Sequence, residues 1–219
     1  MTWLPVLVYA HILLMVFWIG TDVGVFLAGL RFMNPTLSLE HRTAVINLAM
    51  VIDRIPRICF VAMLPVGLQL QASAGVVALS PAILSCAWVL SALWMAAVIA
   101  GMRLAGKPQV RSWHRIERVF QIACLVGLTA AGTGGLSGHW PIPGWLAGKL
   151  IAYGAICGFV ILLEYAFTPV ITTFGAISAN GSTSERETSL RYGMRWTYVW
   201  VLAIYLAVLV SGYLGTVKP

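Results

Sequence analysis

Long runs of apolar residues, separated by short polar connections, are the dominant pattern of the chain. A helix needs about 20 apolar residues to cross roughly 30 Å of hydrocarbon, so each run is long enough to span a membrane. The six predicted spans lie near residues 4–30, 44–71, 82–104, 117–137, 144–172 and 193–216. Membrane β-barrels instead show alternating segments of about 10 residues. We therefore predict an all-α, polytopic bundle that forms a single transmembrane domain over residues 1–219.

The composition supports the same class of protein. Of the 219 residues, 60% are hydrophobic and 10% are charged, whereas soluble domains carry about 25% charged residues. A soluble domain is therefore excluded, and the expected environment is the lipid bilayer. The 14 Lys and Arg residues outnumber the 7 Asp and Glu residues, and in a membrane chain this excess bears on topology and not on nucleic-acid binding.

The polar connections alternate between basic and uncharged. The connections after spans one, three and five are basic, and the last of these is predicted to be a polar loop over residues 178–189. The connections over residues 71–81 and 137–144 contain no Lys or Arg. The positive-inside rule then places the basic connections in the cytoplasm and both termini outside. We expect a multi-pass protein of the bacterial inner membrane.

Two spans carry polar residues along one face. An ionisable side chain within a span costs at least about 2.5 kcal/mol, so each one needs a partner, a cavity or a function. In span one the helical spacing aligns His11, Met15 and Asp22, and in span five it aligns Lys149, Tyr153 and Glu164. These faces are expected to point into the protein. The aligned residues are His11, Met15, Trp18 and Asp22 in span one and Lys149, Tyr153, Cys157 and Glu164 in span five.

Span two adds charged residues at a similar depth. Its string DRIPR contains Asp53, Arg54 and Arg57, and the first and last of these stand four residues apart and can pair along a helix. Together with Asp22 and Glu164 they predict one buried charged cluster. It can be a structural ion-pair network that locks spans one, two and five together. It can equally be a functional site, for an anion such as a haem propionate or for a proton path, because guanidinium groups bind carboxylates well.

His11 is the main candidate ligand. A neutral imidazole binds iron or copper, although a histidine that only bonds to a neighbouring helix fits the pattern too. Met15, one turn further, is either a soft second ligand for copper or a packing residue. His139 is either an interfacial loop residue or a second ligand. Lys149 and Tyr153 lie in the same outer half of the predicted bundle.

Three segments resemble the superfamily that includes HemJ-type protoporphyrinogen oxidases and CopD-like copper-resistance membrane proteins. The string AHILLMVFWIG at residues 10–20 is similar to the first span of that superfamily. The acidic–Arg pair at residues 53–54, followed by Pro65 and Gly67, is like the Glu-Arg … Pro … Gly pattern of HemJ. The string GWLAGKL at residues 144–150 is similar to the family's Gly-Trp-Leu-His-x-Lys-Leu. The match covers about a third of the chain.

The resemblance implies that His11 is an axial ligand of haem b and that Lys149 lies near the porphyrin or substrate. Two departures stand against it. The histidine of the family's span-five motif is Ala147 here, which leaves His139 as the nearest substitute. Six spans also exceed the usual four-span HemJ plan and are closer to CopD-like proteins.

The leading functional prediction is an inner-membrane haem-b protein. It would use His11 as ligand, with Arg54, Arg57 and His139 as further cofactor-binding candidates and Lys149 and Tyr153 as catalytic ones. The expected chemistry is electron transfer or porphyrinogen oxidation linked to quinone. One alternative is CopD-like copper transport through His11 and Met15. Another is a non-enzymatic membrane subunit that anchors a partner subunit or forms a homo-oligomer.

Overall fold

The computed structural model describes residues 3–218, and this part of the chain is helical with no β-strand. The elements are α1 (Leu4–Phe32), α2 (Leu39–Ile52), α3 (Arg54–Ser73), α4 (Pro81–Arg103), α5 (Val110–Leu136), α6 (Gly144–Asn180) and α7 (Ser184–Val217). The all-α prediction is confirmed. Five helices, α1, α4, α5, α6 and α7, are long and apolar enough to cross a membrane.

The second predicted span is two helices and not one. α2 and α3 are separated at Asp53, so the expectation of a continuous helix over residues 44–71 is wrong at this point. The break has a local cause, because Pro56 has no N–H to donate to the carbonyl of Ile52 four residues earlier. By contrast, α3 continues through Pro65.

The predicted polar loop over residues 178–189 is also mostly helical. α6 extends to Asn180, where Gly181 ends it with a φ of 83°. α7 begins at Ser184, three residues after Gly181. The Thr183 side chain caps the start of α7 by accepting a hydrogen bond from the backbone N–H of Arg186. The acidic residues of this first turn suit the positive end of the helix dipole. The predicted loop is therefore wrong for most of its length, because its polar residues lie in and between the ends of two helices.

Short connections place successive helices side by side in an up-and-down arrangement. α3 packs on α1 and α4, α5 on α4 and α6, and α7 on α6 and α1. At 1.5 Å per residue, the 37 residues of α6 span roughly 55 Å. This exceeds the roughly 30 Å of bilayer hydrocarbon. We call the end of the bundle with the connections after α1, α4 and α6 the basic end.

Two hydrophobic cores fill the bundle. The larger core lies mid-bundle and includes Trp18, Phe60, Trp94 and Ile156. The smaller core lies at the basic end, where the last turns of α1 and α6 meet α2 and the first turns of α7. It consists of Phe32, Ile46, Ala49, Val170, Phe174, Ile177, Leu190 and Met194. The functional candidates lie on either side of the larger core.

Candidate functional site

A cavity of about 600 Å³ lies between α1, α3, α6 and α7, in the half of the bundle away from the basic end. Its walls are mainly apolar. The side chains with polar or sulfur atoms among its lining are His11, Met15, Trp18, Met63, Gln71, Trp145, Lys149, Tyr153, Ser211, Thr216 and Lys218. Helical spacing brings the α1 and α6 residues to this space, as the sequence pattern predicted.

His11 enters the cavity from α1, and its Nδ1 atom is buried without a hydrogen-bond partner in the part of the chain that the structure describes. The imidazole has room because it faces Gly67 of α3. A Cβ atom at that glycine would lie 3.3 Å from His11 Cε1. Met15 follows one turn later and also lines the cavity. The structure thus presents one free imidazole nitrogen beside a thioether.

Lys149 enters from α6 on the opposite side. A Cβ atom at Gly215 of α7 would lie 2.5 Å from Lys149 Nζ, so the absence of a side chain there makes room for the ammonium group. Lys218 also lines the cavity, and its Nζ lies 5.4 Å from the centre of the Trp145 ring. No Asp or Glu is among the residues that line the cavity. The cavity is therefore apolar with a positively charged margin.

Tyr153 lines the same cavity, and an aromatic layer extends from it towards the basic end. Its hydroxyl donates a hydrogen bond of 2.6 Å to the carbonyl of Phe60, whose ring stacks on Tyr153 with 5.2 Å between centroids. Trp18 and Trp94 pack on Phe60 with centroids 5.3 Å away. We call these four residues the aromatic layer. Because its hydroxyl proton is already donated, Tyr153 is first a structural residue.

His139 lies elsewhere. It is exposed in the connection between α5 and α6, where its Nδ1 lies 2.8 Å from the hydroxyl of Ser137. It is not among the residues that line the cavity. Ala147, at the motif position where the resembling family has histidine, is buried against α5 next to Gly135 and does not line the cavity either. His139 therefore does not lie beside His11 in this structure, and its role as a second ligand stays a prediction.

On the other side of the aromatic layer lies a charged cluster. Arg57 Nε is 2.6 Å from Asp53 Oδ2, and Arg57 Nη1 is 3.9 Å from Glu164 Oε1. Arg118 Nη2 lies 2.6 Å from Glu164 Oε2. Asp22 lies close to Asp53 and Arg57. The predicted meeting of α1, α3 and α6 charges therefore occurs, and α5 joins it.

Arg54 does not belong to this charged cluster. Its side chain is exposed, and it forms no ion pair within residues 3–218. The neighbouring Arg57 turns inwards, because its guanidinium pairs with Asp53 and with Glu164 of α6. Neither arginine lines the cavity, so their assignment as cofactor-binding residues stays a prediction that this cavity does not support.

Sequence reasoning missed three members of the charged cluster, all on α5. Glu117 and Gln121 are 6% and 1% exposed, and Arg118 pairs with Glu164. They lie at the start of the predicted fourth span, where no role was predicted for them. The signal was nevertheless present, because His114, Glu117, Arg118 and Gln121 have the spacing of one helical face. We define the charged cluster by its members Asp22, Asp53, Arg57, Glu117, Arg118, Gln121 and Glu164.

A metal-binding group of three or more His, Cys, Asp or Glu side chains is absent from residues 3–218. The four cysteines, Cys59, Cys86, Cys124 and Cys157, are free. No family model, curated protein or solved structure matches the chain.

Proposed function

We propose that this protein is an integral membrane protein that binds haem b, or a closely related tetrapyrrole, in the cavity between α1, α3, α6 and α7. The imidazole of His11 would hold its iron. The observation that carries the proposal is the buried Nδ1 of His11, which has no hydrogen-bond partner within residues 3–218, in a side chain that lines an apolar cavity of about 600 Å³ and packs against Gly67. A buried polar atom without a partner is costly, so it calls for a ligand.

The residues present fit this group in three respects. The volume lies within the roughly 300–1,000 Å³ of small-molecule and cofactor sites, and the walls are apolar as in such sites. A porphyrin brings four nitrogen ligands of its own, so one imidazole is enough for the protein to hold the iron. Lys149 and Lys218 offer positive charge for the carboxylates of the macrocycle.

Bound haem would supply one-electron chemistry, and the protein would set its surroundings. The protein itself would position the His11 imidazole, exclude water through the apolar walls, and keep cationic side chains at the margin of the cavity. Lys149 is the group that would lie beside a porphyrin or an anionic substrate. Quinone, being soluble in the bilayer, is the proposed electron partner. These assignments give a redox role, either electron transfer or porphyrinogen oxidation.

The test is the absorbance spectrum of the protein purified after expression with excess haem. We expect a Soret band that shifts on reduction, and we expect His11→Ala to lose it. His139→Ala is the matched control and should keep the band, because that histidine lies outside the cavity. A wild-type protein without a Soret band, or a His11→Ala variant with full haem content, would refute the proposal.

Copper binding is the second candidate, favoured by one observation: His11 and Met15 line the cavity side by side. Imidazole and thioether are both ligands of copper. Metal analysis of the same samples separates the two candidates. Stoichiometric copper that disappears in a His11→Ala, Met15→Ala double variant, in a protein without haem, would favour copper passage.

The proposed topology has six crossings, with α3 completing the second. The basic connections would face the cytoplasm of a bacterium and both termini would face outwards, as the positive-inside rule requires. A partner subunit or a second copy could then dock at the basic end. Alkaline phosphatase fused after residue 218 should be active, while green fluorescent protein at the same place should be dark. The reverse pattern would invert the topology.

A further inference from the structure

The charged cluster contains more negative than positive groups. Its carboxylates are Asp22, Asp53, Glu117 and Glu164, whereas its guanidiniums are Arg57 and Arg118. Asp53 and Glu164 are paired with these two arginines at 2.6 Å. Unpaired carboxylates are strongly disfavoured as anions in a medium of low polarity. The cluster therefore has two negative charges that its own arginines do not balance.

Buried polar atoms without partners point into the same cluster. Gln121 is 1% exposed, and neither its Oε1 nor its Nε2 has a hydrogen-bond partner within residues 3–218. Its side chain lies beside Glu164. Arg118 Nη1 is buried and unpartnered in the same part of the chain. Such groups are rare in folded proteins unless a ligand or water completes them.

Asp22 is the carboxylate with the weakest compensation. It forms no ion pair among the residues that the structure describes, and Glu117 has only His114, at 3.6 Å. The Tyr205 hydroxyl from α7 lies close to Asp22. The other titratable or charged groups around it are Asp53 and Arg57 from the α2–α3 junction, His114, Glu117 and Arg118 from α5, and Glu164 from α6.

The exposed His114 joins the cluster to the surface at the basic end. His114 is 52% exposed, and its Nδ1 lies 3.6 Å from Oε2 of buried Glu117. A histidine at such a position can exchange a proton with water near neutral pH and with the carboxylate behind it. Arg57 lies near both Glu117 and Glu164, so the charged side chains continue from the surface into the cluster.

We propose that the charged cluster is a binding site for an exchangeable proton, held on the carboxyl of Asp22 and taken up from the basic end through His114 and Glu117. In this step a proton leaves water, adds to a carboxylate oxygen, and gives a neutral carboxyl; no bond to a metal or cofactor is involved. A proton fits better than a metal ion, because arginines lie between the carboxylates and keep them from converging. The aromatic layer separates this site from the cavity, and the proposal is independent of haem.

Infrared spectroscopy on haem-free protein in liposomes tests the proposal. A pH titration should show the C=O stretching band of a protonated carboxyl that disappears as the pH rises. Asp22→Asn should lose this band, whereas Glu40→Gln, which changes an exposed carboxylate at the start of α2, should keep it. If Asp22→Asn fails to fold, Asp22→Glu takes its place and should keep the band at a shifted frequency.

Transfer into D₂O tests the route. The downshift of the band should be slower in His114→Ala than in the wild type and unchanged in His139→Ala, which lies at the opposite end. Absence of a titrating band, or its persistence in Asp22→Asn, would overturn the proton site. Loss of the band on adding sodium at constant pH would assign the site to a cation instead. Equal deuterium exchange in His114→Ala and wild type would overturn the route.

Discussion

Replacement of Arg42 by alanine should destabilise the protein more than any other change of a basic residue at the basic end. Arg42 stands on α2 and binds Glu187 of α7 with two hydrogen bonds of 2.7 and 3.2 Å. Its Nε also donates to the carbonyl of Phe32, the last residue of α1, at 3.0 Å. The two charged side chains are only 3% and 8% exposed. One guanidinium thus joins three helices.

The expected loss follows from the burial of the pair. Removal of one partner of a buried ion pair costs about 3–5 kcal/mol, because the other charge stays in a poorly solvated place. Ser182 is the remaining side-chain partner of Glu187 and donates to its Oε1 at 2.8 Å. Arg42 also lies over the rings of Phe32 and Phe174, at 5.5 and 5.4 Å from their centres, and this adds to the loss.

Denaturant unfolding of the purified protein in one detergent measures the effect. Arg42→Ala and Glu187→Ala should each lower the free energy of unfolding by about 3 kcal/mol or more. The double variant should lose less than their sum, since neither charge is left alone. Arg31→Ala, an exposed arginine at the same end, is the matched control and should stay within about 0.5 kcal/mol. Single variants that lose less than about 1 kcal/mol would refute this reasoning.

Three further predictions concern helix packing and the cavity. Gly132→Ala should lower the free energy of unfolding by about 1–3 kcal/mol, because the new Cβ would lie 2.6 Å from a backbone oxygen of α6. Gly127→Ala is the control, since there is open space around that glycine, and it should leave the free energy of unfolding unchanged. Equal effects of the two substitutions would contradict this account. Tyr153→Phe removes the hydrogen bond to α3 and should lower the free energy of unfolding by about 0.5–1.5 kcal/mol. Loss of the proposed redox activity at unchanged stability would instead assign Tyr153 a catalytic role. Gly67→Val should lower the amount of ligand bound in the cavity without unfolding the protein, because the valine side chain would crowd His11. Absorbance measures the bound ligand, and an unchanged amount would place the ligand elsewhere.

Much of the candidate site was predictable because helical periodicity is strict. Residues at spacings of three and four share a face whatever surrounds the helix. For this reason the sequence alone assigns His11, Met15, Lys149 and Tyr153 to one interior, and all four line one cavity. Because polar groups are costly in lipid, the face that carries them was expected to point into the protein.

The boundaries of the charged cluster could not be read in the same way. Arg54 and Arg57 are three residues apart, and only contact with α5 and α6 decides that Arg57 is inside and Arg54 outside. Arg118 lies at the very start of the predicted fourth span, and the sequence does not show how far the helix continues before its apolar run. α5 starts at Val110, so Arg118 lies two turns inside it and faces Glu164.

By itself the sequence determined the all-α class, five of the apolar helices and the two polar faces, because these depend on local composition and helical spacing. Tertiary structure alone decided the partners. The pairing of Arg42 with Glu187 joins positions 145 residues apart, and the space around His11 depends on a glycine of another helix. Such contacts arise when distant segments pack together, and no spacing within one segment encodes them.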